Sequence, residues 1–168
     1  MQAPAPLIER GLALRWLDSD DLPWLRDLYA TTRADEMAPL PWPAAQKRHF
    51  LEQQFALQHD HFVSYYGKAD FLAIGQRDGQ PIGRYYVARG DSFHVVDIAL
   101  TPAYYRQGIG TALIEHTLAE AADGRRDVLL HVNKFNSRAR NLYSRLGFAV
   151  NKDAGSHWQM RWSPTKPG

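Results

Sequence analysis

Apolar and polar positions alternate in LALRWL, Leu12–Leu17, and this predicts a first strand. The period then changes. Leu22, Leu25 and Leu28/Tyr29 recur at helical spacing behind Ser19 and Asp20, either of which can cap a helix whose acidic first turn suits its positive end. The prolines of MAPLPWP must break that helix. A second helical segment follows in AAQKRHFLEQQFALQHDHFVSYY, with Phe50, Leu51, Gln54/Phe55 and Gln58 roughly along one side. Alternation returns in a hairpin of Phe71–Gln76 and Ile82–Ala88 around the turn DGQ, and Phe93–Leu100 is a further strand beyond RGDS.

The second half reads differently. GIGTALIEHTLAEAA is a helix that stops at Asp123-Gly124. DVLLHV, Asp127–Val132, is a near-continuous apolar run, the pattern of a strand buried on both faces. Ala139, Leu142, Tyr143 and Leu146 then mark one face of a helix that Asn136 can cap and Gly147 can end. FAVNKD and HWQMRW are final strands with AGS turning between them. The order β-α-α-β-β-β-α-β-α-β-β, without repeats or linker-like stretches, describes an α/β (α+β) sheet of about seven strands flanked by about four helices. Residues 1–10, with Pro4 and Pro6, read as a short tail ahead of a single domain spanning residues 1–168.

Composition narrows the picture. A chain of 168 residues with 45% hydrophobic and 12% aromatic content is folded and globular. A net charge of +2, spread along the chain, gives no strong reason to expect nucleic acid as a partner. Without cysteine there is no disulfide, thiolate metal site or cysteine nucleophile. No signal peptide is readable and no apolar run nears the roughly 20 residues of a membrane span, so a soluble, cytoplasmic protein is expected. His59-Asp60-His61 has two histidines and no third ligand in view, which reads as a solvated helix end and leaves metal unexpected.

The candidate chemistry lies at the junction YYRQGIGTAL, where a β-rich segment meets a helix. Glycine in a first helical turn costs about 1 kcal/mol against alanine. A helix start, however, presents N–H groups without internal partners and about half a positive charge. Gly108 and Gly110, with Gln107, Ile109 and Thr111, would form a small anion cradle suited to a pyrophosphate, and Arg106 could add a charge-assisted contact. The junction is not a P-loop, because no G-K-[ST] follows the glycines. It is not a dinucleotide fingerprint, because Leu113 stands at the third glycine position.

The wider pattern DIALTPAYYRQGIGTALI … LLHVNKFNSRARNLYSRLGF resembles the GNAT superfamily of N-acetyltransferases. In that family a loop [Q/R]-x-x-G-x-[G/A] at a helix start holds the pyrophosphate of coenzyme A. Here it is Tyr105-Arg106-Gln107-Gly108-Ile109-Gly110, with tyrosine at the position the family gives to Gln or Arg. A second family pattern, N-x-x-[A/S]-x-x-[L/F]-Y-x-x-x-G-F, is matched by Asn136, Ala139, Leu142, Tyr143, Gly147 and Phe148. The resemblance covers roughly residues 71–150.

The resemblance implies a mixed, mostly antiparallel GNAT-like sheet splayed between its fourth and fifth strands, with acetyl-CoA as co-substrate. It implies that Ile98, Ala99 and Leu100 bond the pantetheine amides and that an N–H there stabilises an oxyanion. It places the Tyr143 hydroxyl beside the sulfur as proton donor, and Asn136 near the pantetheine. The implied reaction is direct attack of a primary amine, from a small molecule or a peptide, in a ternary complex. The alternative is a non-catalytic acyl-CoA-binding sensor; a nucleotide-binding regulatory domain is a third reading. The base that deprotonates the amine is left open among Asp97, His94, His131, Glu36 and water. Trp42, Phe50, Phe55, Tyr65 and Tyr66 fall in the segment that forms the family's acceptor cleft. Dimers are common in the family, and HWQMRW could supply pairing strands for a homodimer.

Overall fold

A computed structural model describes residues 2–164. Its strands form one seven-stranded sheet in the order β1-β2-β3-β4-β5-β7-β6, mixed in sense, with six α-helices among the described residues. The chain divides into two compact units: the residues up to Tyr86 with Asp97–Ile109, and Val87–Val96 with the residues from Gly110 onward.

The first unit opens with helix α1, Ala5–Glu9, where a tail was expected. The prolines that argued for a tail instead start the helix: Pro4 holds the extended N-cap and Pro6 lies in the first turn, where a missing N–H costs nothing. Leu7 is fully buried and anchors the segment. Strand β1, Leu12–Trp16, runs antiparallel to β2, Asp70–Gln76, with Leu12 opposite Gln76 and Trp16 opposite Leu72.

Helix α2, Leu22–Thr32, starts later than Ser19 or Asp20 would have set it, after a turn of 3-10 helix at Ser19–Asp21. The cap is Asp18, whose side chain accepts from the Asp20 N–H at 2.8 Å while Asp21 reaches back to the Asp18 N–H, also at 2.8 Å. Buried Asp21 also accepts from Arg15 at 2.7 and 3.0 Å and from the Trp24 ring N–H at 2.6 Å. The Arg15 hydrogen bonds, partly opposed by burial, hold its carboxyl down to about 2.

A short α3, Ala34–Met37, precedes the proline break, and α4, Ala44–Tyr65, follows it. Leu25, Tyr29 and Phe55 form a core cluster with Leu17, Leu22, Trp24 and Leu51 packed against it. Strands β3, Pro81–Ala88, and β4, Phe93–Leu100, complete this unit and carry the chain into the next.

Helix α5, Ile109–Asp123, enters the second unit at Gly110 and leads to β5, Val128–Asn133, α6, Ser137–Arg145, β6, Ala149–Ala154, and β7, His157–Trp162. Leu113, Ile114, Leu118 and Ala121 of α5 are buried, as are Val128, Leu130, Val132 and Met160. β5 pairs parallel with β4 over only three positions, Phe93–Val95 on Val128–Leu130, and antiparallel with β7 over its whole length. β7 lies between β5 and β6. HWQMRW therefore has no open edge through which to pair with a second copy, because both its edges are used within the chain. No helix among the described residues is long and apolar enough to cross a membrane.

Candidate active site

The loop ahead of α5 has the backbone that the glycine spacing implies. Gly108 sits at φ +77°, in the left-handed region, and nothing lies within 4 Å of the place a Cβ would occupy. Arg106 also adopts a positive φ, 61°. Tyr105, Arg106, Gln107 and Gly108 are exposed, whereas Ile109 is buried and pins the first turn. The Gln107 side chain braces the loop from outside: its Nε2 donates to the Ala103 carbonyl at 3.0 Å and its Oε1 accepts from Arg10 at 3.5 Å. An exposed helix start, open in front of a glycine, can hold a diphosphate through backbone N–H groups. A cavity of about 390 Å³ flanks the loop in the first unit, between Arg10, Gln76, Tyr104 and Gln107.

The strand feeding this loop changes character along its length. Phe93 and Val95 are buried, but Ile98, Ala99 and Leu100 are only partly so. Gly83 of β3 backs this end. A Cβ there would collide with the Ala99 carbonyl and the Leu100 side chain, so only glycine lets the two strands approach.

Asn136 caps α6, its side-chain oxygen accepting from the Ala139 N–H at 3.1 Å. Gly147, at φ +102°, ends the same helix. Tyr143 is partly buried, with its ring 6.1 Å from that of Phe148. Of the expected site residues, Gly110, Thr111, Asn136 and Tyr143 belong to the second unit, and Ile98–Leu100 and Tyr105–Ile109 to the first.

The candidate bases separate by their surroundings. Asp97 is ion-paired: Arg84 Nε donates to its Oδ2 at 2.6 Å, and the same buried guanidinium donates to Gln58 of α4 at 2.7 Å. Glu36 is held by Arg33 at 2.5 and 3.1 Å, and the hydrogen bonds from that guanidinium lower its proton affinity. His94 is pushed down to about 4, first by burial and then by His131. His131 is exposed at the β5 surface, and its pKa is also lowered, by partial desolvation and by His157 and Lys152. It is a neutral imidazole at neutral pH.

Other features of the sequence have local roles. His59 stacks on Phe55 and His61 on Tyr65, and among the described residues no group of three or more His, Cys, Asp or Glu is placed to hold a metal ion. Trp42 meets Phe50 edge-on at 5.5 Å, Phe55 is core, and Tyr65 is exposed. Sequence reasoning missed Arg84, although a charged residue inside the apolar run IGRYYVA signals an internal partner. It also missed the stacking of His94 on His131, with ring centroids 5.5 Å apart.

A mixed seven-stranded sheet with a short parallel ladder between β4 and β5, and a glycine turn ahead of α5, is the α/β fold of GNAT acetyltransferases. The chain belongs to the acetyltransferase (GNAT) family, whose model matches residues 25–148. An uncharacterised N-acetyltransferase of Mycobacterium bovis is 38% identical over 83 residues, 48% of this chain and 53% of that protein. A mycothiol acetyltransferase of Clavibacter michiganensis subsp. michiganensis is 40% identical over 68 residues, 40% of this chain and 22% of that protein. The chain thus spans about half the length of the first of these relatives and less of the second. The PaiA N-acetyltransferase of Thermoplasma acidophilum, solved with coenzyme A, shares the fold at a TM-score of 0.66 and 20% identity, over 90% of this chain and 98% of that one.

Proposed function

We propose that this chain is an N-acetyltransferase that moves an acetyl group from acetyl-CoA to a primary amine of a small molecule or peptide, by direct attack in a ternary complex. The observation that carries the reading is the open, left-handed Gly108 at the exposed start of α5. Bound acetyl-CoA supplies an acyl group activated as a thioester. The N–H groups from Arg106 to Thr111 would hold its diphosphate, and the partly exposed backbone of Ile98–Leu100 would take the amides of its arm, with one N–H there donating to the acyl oxygen.

A primary amine with a pKa near about 10 arrives protonated and must lose its proton. His131 is the residue to take it. Asp97 and Glu36 are occupied by arginines, and His94 binds a proton only near 4, whereas His131 is exposed and neutral. The proton passes from the ammonium to an imidazole nitrogen of His131, and the neutral amine attacks the thioester carbon. As the tetrahedral adduct collapses, the Tyr143 hydroxyl gives a proton to the departing sulfur and recovers one from the adduct nitrogen. A lowered pKa makes His131 a weaker base but keeps it in the accepting form at neutral pH. The Mycobacterium bovis relative is named an N-acetyltransferase, which supports transfer to a nitrogen.

Two measurements test this. Coenzyme A should raise the melting temperature, and acetylation screened by mass spectrometry over amines, aminoglycosides and short peptides should yield acetylated product with release of free thiol. Stabilisation by ATP with none by coenzyme A would overturn the assignment. Coenzyme A binding without acetyl transfer to any acceptor would favour a sensor domain.

A further inference from the structure

The parallel ladder sets His94 opposite Leu129, so His131, two residues further along β5, falls on the same face as His94. The two imidazoles lie nearly parallel, with centroids 5.5 Å apart and planes 11° from one another. They are not equivalent. His94 has its Nε2 shut off from solvent, whereas His131 is exposed. One ring is a wall and the other can work against it.

Resting on the assignment of His131 as the proton acceptor, we propose that His94 is a positioning residue for it. The His94 ring, stacked on the His131 imidazole, fixes the plane of that imidazole and keeps water from one of its faces.

Three consequences follow from the geometry. A ring trapped against a parallel neighbour has few rotamers open to it, so its free nitrogen points in a constant direction. A ring with one face dry is harder to protonate, because the cation loses hydration on that side. Two stacked imidazoles also resist carrying two protons. The first proton goes to the better solvated His131, and His94 stays neutral down to about 4. The groups that bear electrostatically on His131, His157 from β7 and Lys152 from β6, also lower its proton affinity. Removing the wall should therefore let His131 take up its proton at higher pH.

The decisive experiment follows the His131 ring Cε1–H by NMR against pH in the full chain, in wild type, His94→Ala and His94→Phe, with His131→Gln fixing the assignment of the signal. His94→Ala is expected to move the His131 midpoint upward, toward the ordinary imidazole value. His94→Phe keeps a flat ring in place and is expected to stay near wild type. An unmoved midpoint in His94→Ala, or a His94→Phe midpoint that shifts as far as that of His94→Ala, overturns the proposal. Because His94→Phe preserves volume, it remains readable even if the alanine variant folds poorly. The acid limb of kcat/KM, measured with an acceptor from the screen above, should move with the NMR midpoint. If the midpoint moves and the acid limb does not, the stack stands and His131 loses its place as base.

Discussion

The two units handle interior polarity in opposite ways. In the first, β3 and β4 enclose a charged pair: Arg84, 3% exposed, is bound to Asp97 and held from α4 by Gln58. In the second, the same β4 carries a neutral group, His94, stacked on His131. Desolvating a charge is costly unless it is matched, and the Asp97 carboxyl supplies the match for the buried Arg84 guanidinium. Burial opposes protonation of Arg84, but the Asp97 charge wins and its pKa is raised. Desolvating an imidazole costs less, because it can stay neutral. A locked pair secures structure; a neutral ring with one open face can exchange a proton. Asp97, one of the candidates for the base, is committed to its ion pair with Arg84, which is why the proposed mechanism turns to His131.

The sharpest test of this contrast removes the groups assigned to proton transfer. Tyr143→Phe should lower turnover by about 10²- to 10⁴-fold, the usual range for a positioned acid or base, with the affinity for acetyl-CoA within a few-fold of wild type. His131→Gln should fall in the same range and lose the acid limb of the pH profile. Both should denature close to wild type. Unchanged turnover in Tyr143→Phe would remove the phenol from the mechanism.

Arg84→Met is the converse. It leaves a partly buried Asp97 carboxylate without its counter-ion, and a loss of about 3 kcal/mol is expected by guanidinium denaturation. The double variant Arg84→Met/Asp97→Asn should recover much of that loss, because no charge is then stranded. A single variant as stable as wild type would break the contrast, since the pair would then not organise the first unit.

What was legible in the sequence divides along a related line. The path from β4 through the loop to α5, and from β5 to α6, could be read because each step is local: a change of period, two glycines, Asn136 as a cap three residues before its N–H partner. Long-range pairing was not legible. Arg84 with Asp97 depends on how β3 meets β4, and His94 over His131 on the register of a ladder only three positions long. The placement of β7 inside the sheet likewise depends on which strand the chain returns to, which hydrophobic pattern alone does not encode. Residues 5–9 were misread because the prolines that usually mark loose chain here sit where a helix accepts them.

A smaller effect extends the contrast to Asp21, a buried acid of the first unit. Asp21→Asn weakens the bonds from Arg15, Trp24 and the Asp18 N–H, and should cost about 1–2 kcal/mol at neutral pH. The folded-state pKa is depressed to about 2, so the stabilisation is full above the ordinary carboxylate value near about 4 and is lost as pH falls toward 2. Wild type and variant should therefore converge in stability across that window, as followed by thermal unfolding at stepped pH. A gap that stays constant down to pH 2 would show that packing, not charge, is what the substitution disturbs.

The smallest effect separates two roles held by one side chain. The Asn136 oxygen is already engaged as the cap of α6, bonded to the Ala139 N–H at 3.1 Å, which leaves its amide NH₂ as the group able to reach a cofactor. Asn136→Ala removes both functions and should cost about 1 kcal/mol of stability. Asn136→Asp keeps an acceptor for the cap, and its charge suits the helix start, so stability should hold. It has no NH₂ to donate. If Asn136 touches the pantetheine arm, the aspartate variant folds like wild type but binds coenzyme A more weakly by calorimetry. If its affinity equals that of wild type, the residue is a cap alone, and cofactor recognition in the second unit rests on the start of α5.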